Sequence, residues 1–271
     1  MAAIRTVLVL HGYSQNASIF SKRLGALRRE CGNSVDLVFI DGPHILQPAD
    51  LPGSTTPSPD DNLASLGAAE AANAGADPTL TPRAWWKFNP DKTFAYGLRE
   101  SIEAIRDVLK SRRFDGVLGF SQGAAFAAMI SALLEKPHLY PPFLVEGQPP
   151  HPPLKFCIAV SGFRLRDPFC DPLFAGQYST PTLHVIGKND IIVVEERSRT
   201  LVEASSNKRV EEHQGGHFVP SKRQWLKFLR GYMLDPSAEL LSPSTSGSSA
   251  PNSGTATPTE SRDGAAATLK L

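Results

Sequence analysis

The sequence predicts a doubly wound, mainly parallel α/β fold: a six-stranded sheet with helices on both faces. Six short apolar runs rich in β-branched residues alternate with helical patterns along the chain. Most of these runs are too hydrophobic to leave one face in water, as expected for a parallel sheet that is covered on both sides. The predicted strands are Thr6–Leu10, Asp36–Ile40, Gly116–Gly119, Leu154–Val160, Thr182–Ile186 and Lys208–Glu212.

Helical patterns lie between these strands. The clearest is Asp91–Arg112, where apolar residues recur at helical spacing and Asn89-Pro90 offers a cap followed by a proline in the first turn. Gln15-Asn16 can open an earlier helix that runs through Leu27. The other predicted helices are Gln122–Leu134, Val193–Ala204 and Pro220–Leu229.

Two stretches interrupt the alternation. Residues 44–84 are rich in Pro, Gly, Ala, Ser and Asp and are followed by Trp85-Trp86-Lys87-Phe88, so the sequence predicts a long loop anchored by large aromatic residues. A loop of this length in a compact domain is typical of a lid, a binding loop or disorder. Residues 136–153 hold six prolines between positions 141 and 153, which favours an extended surface connection.

The carboxyl-terminal part of the chain changes in composition at about residue 235. From there to residue 271 it is dominated by Ser, Thr, Gly, Ala and Pro and contains no aromatic residue. Such a segment cannot bury enough apolar surface to fold alone. The sequence therefore predicts one domain over residues 1–234 and a disordered tail over residues 235–271.

The overall composition narrows the class of partner. The chain has 271 residues, 41% of them hydrophobic, and a net charge of +1 without a long Lys/Arg cluster. This balance argues against a nucleic acid or a membrane surface held mainly by electrostatics, and it leaves small substrates open. No stretch approaches the roughly 20 apolar residues that a membrane span needs. The three cysteines are odd in number and widely spaced, which predicts free thiols and a cytoplasmic location, with the nucleus as an alternative.

The strongest chemical signal is a predicted turn between a strand and a helix. An apolar strand runs through Gly119-Phe120-Ser121-Gln122-Gly123 into an Ala-rich helix. This context is typical of the sharp turn that exposes a nucleophilic serine above a parallel sheet. Glycine at both ends would let the strand and the helix approach where a Cβ would obstruct the turn. We therefore predict that Ser121 is a nucleophile.

A serine nucleophile needs a base within hydrogen-bond reach and an acid that fixes the tautomer of that base. His217 lies in Gly215-Gly216-His217-Phe218, just after the last predicted strand, where two glycines can present the imidazole at the carboxyl edge of the sheet. His213 is the nearest alternative, although Gly215-Gly216 argues against the helix that a zinc site at this His-x-x-x-His spacing would need. The other candidates lie in a predicted strand or in Pro-rich loops: His184, His44, His138 and His151.

The acid should lie between Ser121 and His217 in the chain, because this fold class orders the three groups as serine, acid and histidine. Asp190 follows a predicted strand directly and is the leading candidate. Its structural alternative is a turn or helix-start residue. Asp167 and Asp171 in the preceding loop are the competing acids.

Two backbone N–H groups should stabilise a developing oxyanion. Gln122 supplies one by its position after the nucleophile, and the loop after the first strand supplies the other, with Tyr13 favoured and Ser14 next. His11 in this loop is expected to brace it. Four aromatic residues are candidates to line an acyl pocket, although large aromatics more often form ordinary core: Phe120, Trp85, Trp86 and Phe218.

With these motifs in order, the sequence resembles the FSH family of serine hydrolases, an α/β-hydrolase group that includes fungal hydrolases and animal ovarian-cancer-associated protein 2 homologues. The resemblance covers about residues 5–232. The matching blocks are Leu10–Asn16, Gly25–Arg28, Leu37–His44, Trp85-Trp86, Phe114–Ala125, Ser161–Phe163, Leu183–Gly187 with Asp190, and Gly215–Pro220.

The resemblance implies a compact α/β-hydrolase fold, a Ser121, Asp190 and His217 triad, no metal or organic cofactor, and esterase or thioesterase activity. The leading hypothesis is hydrolysis of carboxylic esters through an acyl-enzyme. The alternative is a thioesterase that releases a polyketide or fatty acyl chain from a partner such as an acyl carrier protein. A binding protein without turnover would be expected to lack a triad residue, and this chain has all three. The insertion at 44–84, the Pro-rich connection at 141–153 and the tail depart from the family pattern and leave the substrate open.

Overall fold

The computed structural model of the protein describes residues 4–47, 50 and 80–244. A six-stranded parallel sheet forms its centre, in the spatial order β6-β5-β4-β3-β1-β2. The strands are β1 (Arg5–Leu10), β2 (Val35–Ile40), β3 (Gly116–Phe120), β4 (Phe156–Val160), β5 (Thr182–Gly187) and β6 (Lys208–His213). All six predicted strands are confirmed.

Alternate residues of the strands face two different hydrophobic cores. In β1, Val7 and Val9 pack into one core, and Leu8 and Leu10 pack into the other. The first core is covered by α1 (Ala17–Arg23), α2 (Gly25–Cys31) and α7 (Arg223–Leu234). The second is covered by α3 (Leu98–Ser111), α4 (Gln122–Glu135), α5 (Cys170–Phe174) and α6 (Glu195–Glu203). The predicted doubly wound α/β class is therefore confirmed.

The helix predicted over Asp91–Arg112 begins later than expected, at Leu98. The Asn89 side chain does not cap a helix but accepts the N–H groups of Thr93 and Phe94, both at 2.8 Å, and so closes a turn. The turn joins two short antiparallel strands, Lys87–Phe88 and Ala95–Tyr96. The prediction was wrong here because an Asn-Pro pair can open either a helix or a turn.

The two ends of the predicted long insertion lie next to each other in the domain. A short antiparallel pair joins His44–Ile45 to Arg83–Ala84, and the Arg83 N–H donates to the Gln15 carbonyl at 2.8 Å. Residues 48–49 and 51–79 lie outside the described residues, and with them most of the predicted loop. The end of the insertion is thus fixed next to the segment that follows β1.

The Pro-rich connection is more compact than the predicted extended segment. It contains two short 3₁₀ turns, Pro137–Leu139 and Pro141–Phe143, and Phe143 is fully buried. Proline in the first position of each turn suits this conformation because its fixed φ angle lies in the helical range.

The domain continues past its predicted end at residue 234. The Leu240 carbonyl accepts a hydrogen bond from Arg209 at 2.6 Å, and the Ser242 hydroxyl donates to Glu211 at 2.6 Å. Residues 235–244 therefore pack beside β6, while the rest of the predicted tail, residues 245–271, lies outside the described residues.

The cysteines are free, as the sequence predicts, and all three are buried. Burial raises the pKa of the Cys31 thiol to about 11 and that of Cys157 to about 12, so both stay protonated at neutral pH. Within the described ranges, none of the helices combines the length and the apolar character that crossing a bilayer requires.

Candidate active site

Ser121 lies at the turn between β3 and α4 with a backbone φ of 55° and ψ of −118°. Residues other than glycine adopt a positive φ only when their surroundings enforce it. Here the Ser121 N–H donates to the Val160 carbonyl at 2.9 Å, and its own carbonyl accepts from Ala124 at 2.9 Å. The end of the sheet and the start of α4 thus hold the strained residue from both sides.

The glycines of this turn permit backbone contacts that no side chain would allow. A Cβ on Gly119 would lie 2.1 Å from the Gly123 carbonyl oxygen, and a Cβ on Gly123 would lie 2.3 Å from the Leu10 carbonyl oxygen. The second contact brings the end of β1, and the loop that follows it, against the start of α4. The close approach inferred from the sequence is therefore present.

Asp190 and His217 form a buried hydrogen-bonded pair. The Nδ1–H of His217 donates to Asp190 Oδ2 at 2.7 Å, and the two side chains are 5% and 1% exposed. The other carboxylate oxygen accepts the N–H groups of Ile192 at 3.0 Å and Val193 at 2.9 Å. With the carboxylate bound to Nδ1–H, the Nε2 atom of a neutral His217 is an acceptor and can take up a proton.

Backbone contacts between two loops bring this pair together. The Lys188 N–H donates to the His213 carbonyl at 2.8 Å, and the Asn189 N–H donates to the Gly215 carbonyl at 3.1 Å. A Cβ on Gly187 would lie 2.5 Å from the Gly216 carbonyl oxygen, so glycine is needed for this approach. The loops after β5 and β6 are therefore joined where the acid and the imidazole meet.

The electrostatics of the pair favour an ionised carboxylate. Burial alone would raise the pKa of Asp190, but the hydrogen bond and charge interaction with His217, together with the Val193 N–H, outweigh it and lower the pKa below its ordinary value. Asp190 is thus charged at neutral pH.

The imidazole of His217 lies beside the turn that carries Ser121. Its ring centroid is 4.7 Å from that of Phe120, the residue directly before the serine. Among the described residues, no hydrogen bond joins the Ser121 hydroxyl to the imidazole. Such bonds are often long without substrate and tighten when it binds.

The two backbone groups predicted to bind an oxyanion also lie next to this turn. Gln122 begins α4, and Tyr13 follows Gly12, where a Cβ would come within 3.1 Å of the Phe120 ring. The Tyr13 hydroxyl donates to the Asp50 carbonyl at 2.8 Å, which ties this loop to the start of the insertion. The Gln122 N–H thus lies at the start of α4, and the Tyr13 N–H lies in the loop after β1.

His11 braces the loop after β1. Its Nε2 atom accepts the Gly42 N–H at 2.9 Å, and Nδ1–H donates to the Gly12 carbonyl at 2.8 Å, an arrangement that needs the neutral imidazole. Complete burial lowers the pKa of His11 to about 4. The indole N–H of Trp85 donates to the His11 carbonyl at 2.9 Å, so the loop is held from two directions.

The Gln122 side chain has a positioning contact that the sequence does not reveal. Its amide oxygen accepts the Trp85 N–H at 2.8 Å, and its amide nitrogen donates to the Trp86 carbonyl at 2.9 Å. These partners are more than 35 residues away along the chain. No local pattern could have predicted the contact, because only the tertiary fold brings the two segments together.

The competing acids and base have other partners. Asp167 accepts the N–H groups of Ala95 and Phe169, both at 2.9 Å, and Asp171 pairs with Arg164 at 2.8 Å. The ring of His213 accepts the Gly215 N–H at 3.1 Å and packs on Phe218 and Trp225. Each of the three side chains thus supports a loop or an ion pair.

The four predicted pocket residues divide into three environments. Trp85 and Trp86 are completely buried and belong to the core, which corrects the expectation that they line a pocket. Their rings pack on Phe126, and their backbone groups bond to the Gln122 side chain. Phe120 is also buried and packs on His217, while Phe218 is 49% exposed.

Comparison with known proteins identifies the family. The family model described as "Serine hydrolase (FSH1)" matches residues 1–229. The zebrafish (Danio rerio) protein named Esterase OVCA2 is 36% identical over 226 residues, which cover 79% of this chain and 90% of the relative. A Schizosaccharomyces pombe protein named dihydrofolate reductase is 32% identical over 234 residues, and the match covers 84% of this chain but only 46% of that longer protein.

The solved structures show the same fold at low sequence identity. The crystal structure of Arabidopsis thaliana SOBER1 superposes with a TM-score of 0.52 at 15% identity, over 85% of this chain and 98% of the neighbour. At that identity the likeness concerns the fold alone. Because the family model spans most of the domain and the zebrafish relative is matched over nearly its whole length, the chain belongs to the FSH1 family of serine hydrolases.

Proposed function

We propose that this protein hydrolyses carboxylic esters of small molecules through a covalent acyl-enzyme on Ser121, with His217 as the base and Asp190 as its orienting acid. The observation that carries the proposal is the buried 2.7 Å hydrogen bond between His217 and Asp190, beside a serine held at a φ of 55°. Membership of a serine hydrolase family and the relatives named as esterases support the same chemistry.

In the first half of the reaction, His217 Nε2 takes the proton from the Ser121 hydroxyl as its oxygen attacks the acyl carbon. The carbonyl electron pair moves onto the carbonyl oxygen, and the N–H groups of Gln122 and Tyr13 stabilise the resulting oxyanion. When the carbonyl re-forms, the bond to the leaving oxygen breaks, and His217 gives the proton to that oxygen. An alcohol leaves, and the acyl group stays on Ser121.

In the second half, water replaces the alcohol. His217 takes a proton from the water while its oxygen attacks the acyl carbon of the Ser121 ester, and the same two N–H groups stabilise the second oxyanion. Collapse of this intermediate breaks the bond to the serine oxygen, which recovers its proton from His217. A carboxylic acid leaves, and the enzyme returns to its starting state.

Asp190 stays ionised through both halves. Its lowered pKa keeps the carboxylate charged, and its contact with Nδ1–H leaves Nε2 available to the substrate side. The backbone N–H groups of Ile192 and Val193 hold the other carboxylate oxygen, so the acid cannot rotate away from the imidazole.

Hydrolysis of p-nitrophenyl butyrate tests the proposal. The wild-type protein should release p-nitrophenol, and Ser121→Ala should lose at least about 10³-fold in kcat/KM. Ser111→Ala, which removes an exposed hydroxyl at the end of α3, is the matched control and should keep the wild-type rate. Wild-type turnover that survives in Ser121→Ala would refute the assignment.

A further inference from the structure

A groove of about 250 Å³ opens at the same edge of the sheet as the candidate active site. Its walls come from residues 88–92, from 163–166 after β4, and from the chain between Ile191 and Thr200 after β5. Ligands bind at this edge in open α/β sheets because the loops after the parallel strands converge there. One wall begins at Ile191, the residue directly after the candidate catalytic acid.

The groove presents apolar surface to solvent. Within it the partly exposed Phe88 lies beside Phe163, which is 5% exposed, with their ring centroids 6.5 Å apart. Ile191 is 64% exposed and Val194 is 40% exposed, although both carry large aliphatic side chains. Neighbouring apolar side chains that stay accessible in a concave site are typical of ligand-binding surfaces. A substrate with an apolar segment would cover them.

Basic side chains predominate among the described residues that line the groove. Four of these residues are basic, Lys92, Arg164, Arg166 and Arg197, and one is acidic, Asp91. The whole chain is nearly balanced, with 28 basic and 27 acidic residues, so this concentration is local. A concave site lined by one sign of charge attracts ligands of the opposite sign.

One of these cations lies against an aromatic ring of the groove. The Arg197 guanidinium is 4.5 Å from the centroid of the Phe163 ring. Arg164 pairs with Asp171 at 2.8 Å, so part of its charge is already compensated, whereas Arg166 is exposed. An anionic group bound in the groove would thus meet a guanidinium positioned by the Phe163 ring.

We propose that this groove binds an anionic, partly apolar portion of the substrate. The inference rests on the proposed ester hydrolysis and specifies its substrate class. The shared chemistry is a carboxylate or phosphate separated from the scissile carbonyl by an apolar segment. The anion can come from the far end of the acyl chain or from the leaving group.

A pair of esters tests the acyl end. Mono-p-nitrophenyl adipate carries a free carboxylate, and its methyl ester has the same chain without the charge. The wild-type protein should show a kcat/KM about fivefold higher for the free acid, and 0.5 M NaCl should reduce the ratio because salt screens exposed charges. In the double variant Arg166→Gln/Arg197→Gln the ratio should fall to about one.

The single variant Arg166→Gln alters only an exposed side chain and should lower the ratio partway, which checks the result if the double variant is poorly folded. Lys110→Gln, an exposed cation at the end of α3, is the matched control and should keep the wild-type ratio.

A second pair tests the leaving group. Butyryl-coenzyme A carries phosphates on its leaving group, whereas butyryl-N-acetylcysteamine presents a related thioester without them. A preference for the coenzyme A ester that disappears in the double variant would place the anion on the leaving side, and a preference confined to adipate would place it on the acyl side. If the wild type hydrolyses the neutral esters but shows neither preference, or if a preference persists in the double variant, the inference is overturned. If no ester or thioester is hydrolysed, the proposed function fails as well.

Discussion

Two histidines at the same edge of the sheet show how the surroundings give the same type of side chain two different roles. His11 follows β1, is fully buried, and uses both ring nitrogens on the backbone of Gly12 and Gly42. His217 lies in the loop after β6 and uses one nitrogen on the Asp190 carboxylate, which leaves the other available. The first ring has no free acceptor and a pKa lowered to about 4, so it is suited to support. The His217 ring, which has one nitrogen available, is suited to proton transfer.

Substitution of either histidine should separate these two roles most strongly. We expect His217→Gln to lower kcat on p-nitrophenyl butyrate by roughly 10⁴-fold or more, because the serine loses its base. The melting temperature should change little. His11→Gln should show the opposite pattern, with a lower melting temperature and a much smaller change in kcat. Calorimetry and initial rates on both variants would check this, and matched losses of activity would contradict the division of roles.

Asp190→Asn tests whether the carboxylate, and not its shape, orients His217. The amide keeps the size of the side chain but favours the wrong imidazole tautomer, so kcat should fall by roughly 10³- to 10⁴-fold. The measurement is the steady-state rate on p-nitrophenyl butyrate, with circular dichroism as the test of folding. Asp171→Asn, which alters an exposed ion pair with Arg164, should leave the rate unchanged. A fully active Asp190→Asn protein would exclude the carboxylate from the mechanism.

Gly123→Ala tests the backbone contact that joins the His11 loop to the serine turn. The added Cβ would lie 2.3 Å from the Leu10 carbonyl oxygen, and relief of that overlap must move backbone. We expect a loss of about 3 kcal/mol in the free energy of unfolding, measured with urea, and a loss of activity. Gly25→Ala is the control, since the nearest atom to its added Cβ is an arginine side-chain nitrogen 3.6 Å away. Equal stabilities of the two variants would argue against the close approach.

The pH dependence of stability should carry the signature of His11. Its pKa is lowered by burial to about 4 in the folded protein, against 6.5 as the ordinary value for the unfolded chain. Below pH 6.5 the unfolded state therefore binds a proton that the folded state does not, so the stabilisation is complete above pH 6.5 and is lost towards pH 4. The loss amounts to about 3 kcal/mol. Urea unfolding at pH 7, 5 and 4 should show a smaller loss in His11→Gln, and parallel curves for the two proteins would contradict the assignment.

The sequence predicted more of the sheet than of its surroundings. The six strands could be predicted because buried parallel strands are continuous apolar runs. The serine turn could be predicted because glycine is required on both sides of it. The start of α3 could not be predicted, because Asn89 can serve a helix or a turn. The strand that precedes α3 also bonds to distant Asp167, through the Ala95 N–H. The burial of Trp85 and Trp86 could not be predicted either, because it arises from contacts with distant residues such as Phe126 and Gln122.

The residues of the candidate site also divide into those that the sequence suggests and those that it does not. Ser121, Asp190 and His217 could be chosen because each follows a strand and their order along the chain is that of the fold class. The groove could not be predicted, because Phe88, Phe163 and Arg197 come from three segments that only the sheet edge brings together. The net charge of the whole chain is +1, so the composition does not reveal that most charged residues in the described lining of the groove are basic.

The most direct test of the central claim is to locate the residue that a fluorophosphonate probe modifies. The probe reacts with an activated serine, so tryptic digestion and mass spectrometry should place one adduct on Ser121 in the wild type. The adduct should be absent from Ser121→Ala and formed far more slowly in His217→Gln. An adduct on any other residue of the wild type, or labelling of Ser121 at an unchanged rate without His217, would contradict the assignment of nucleophile and base.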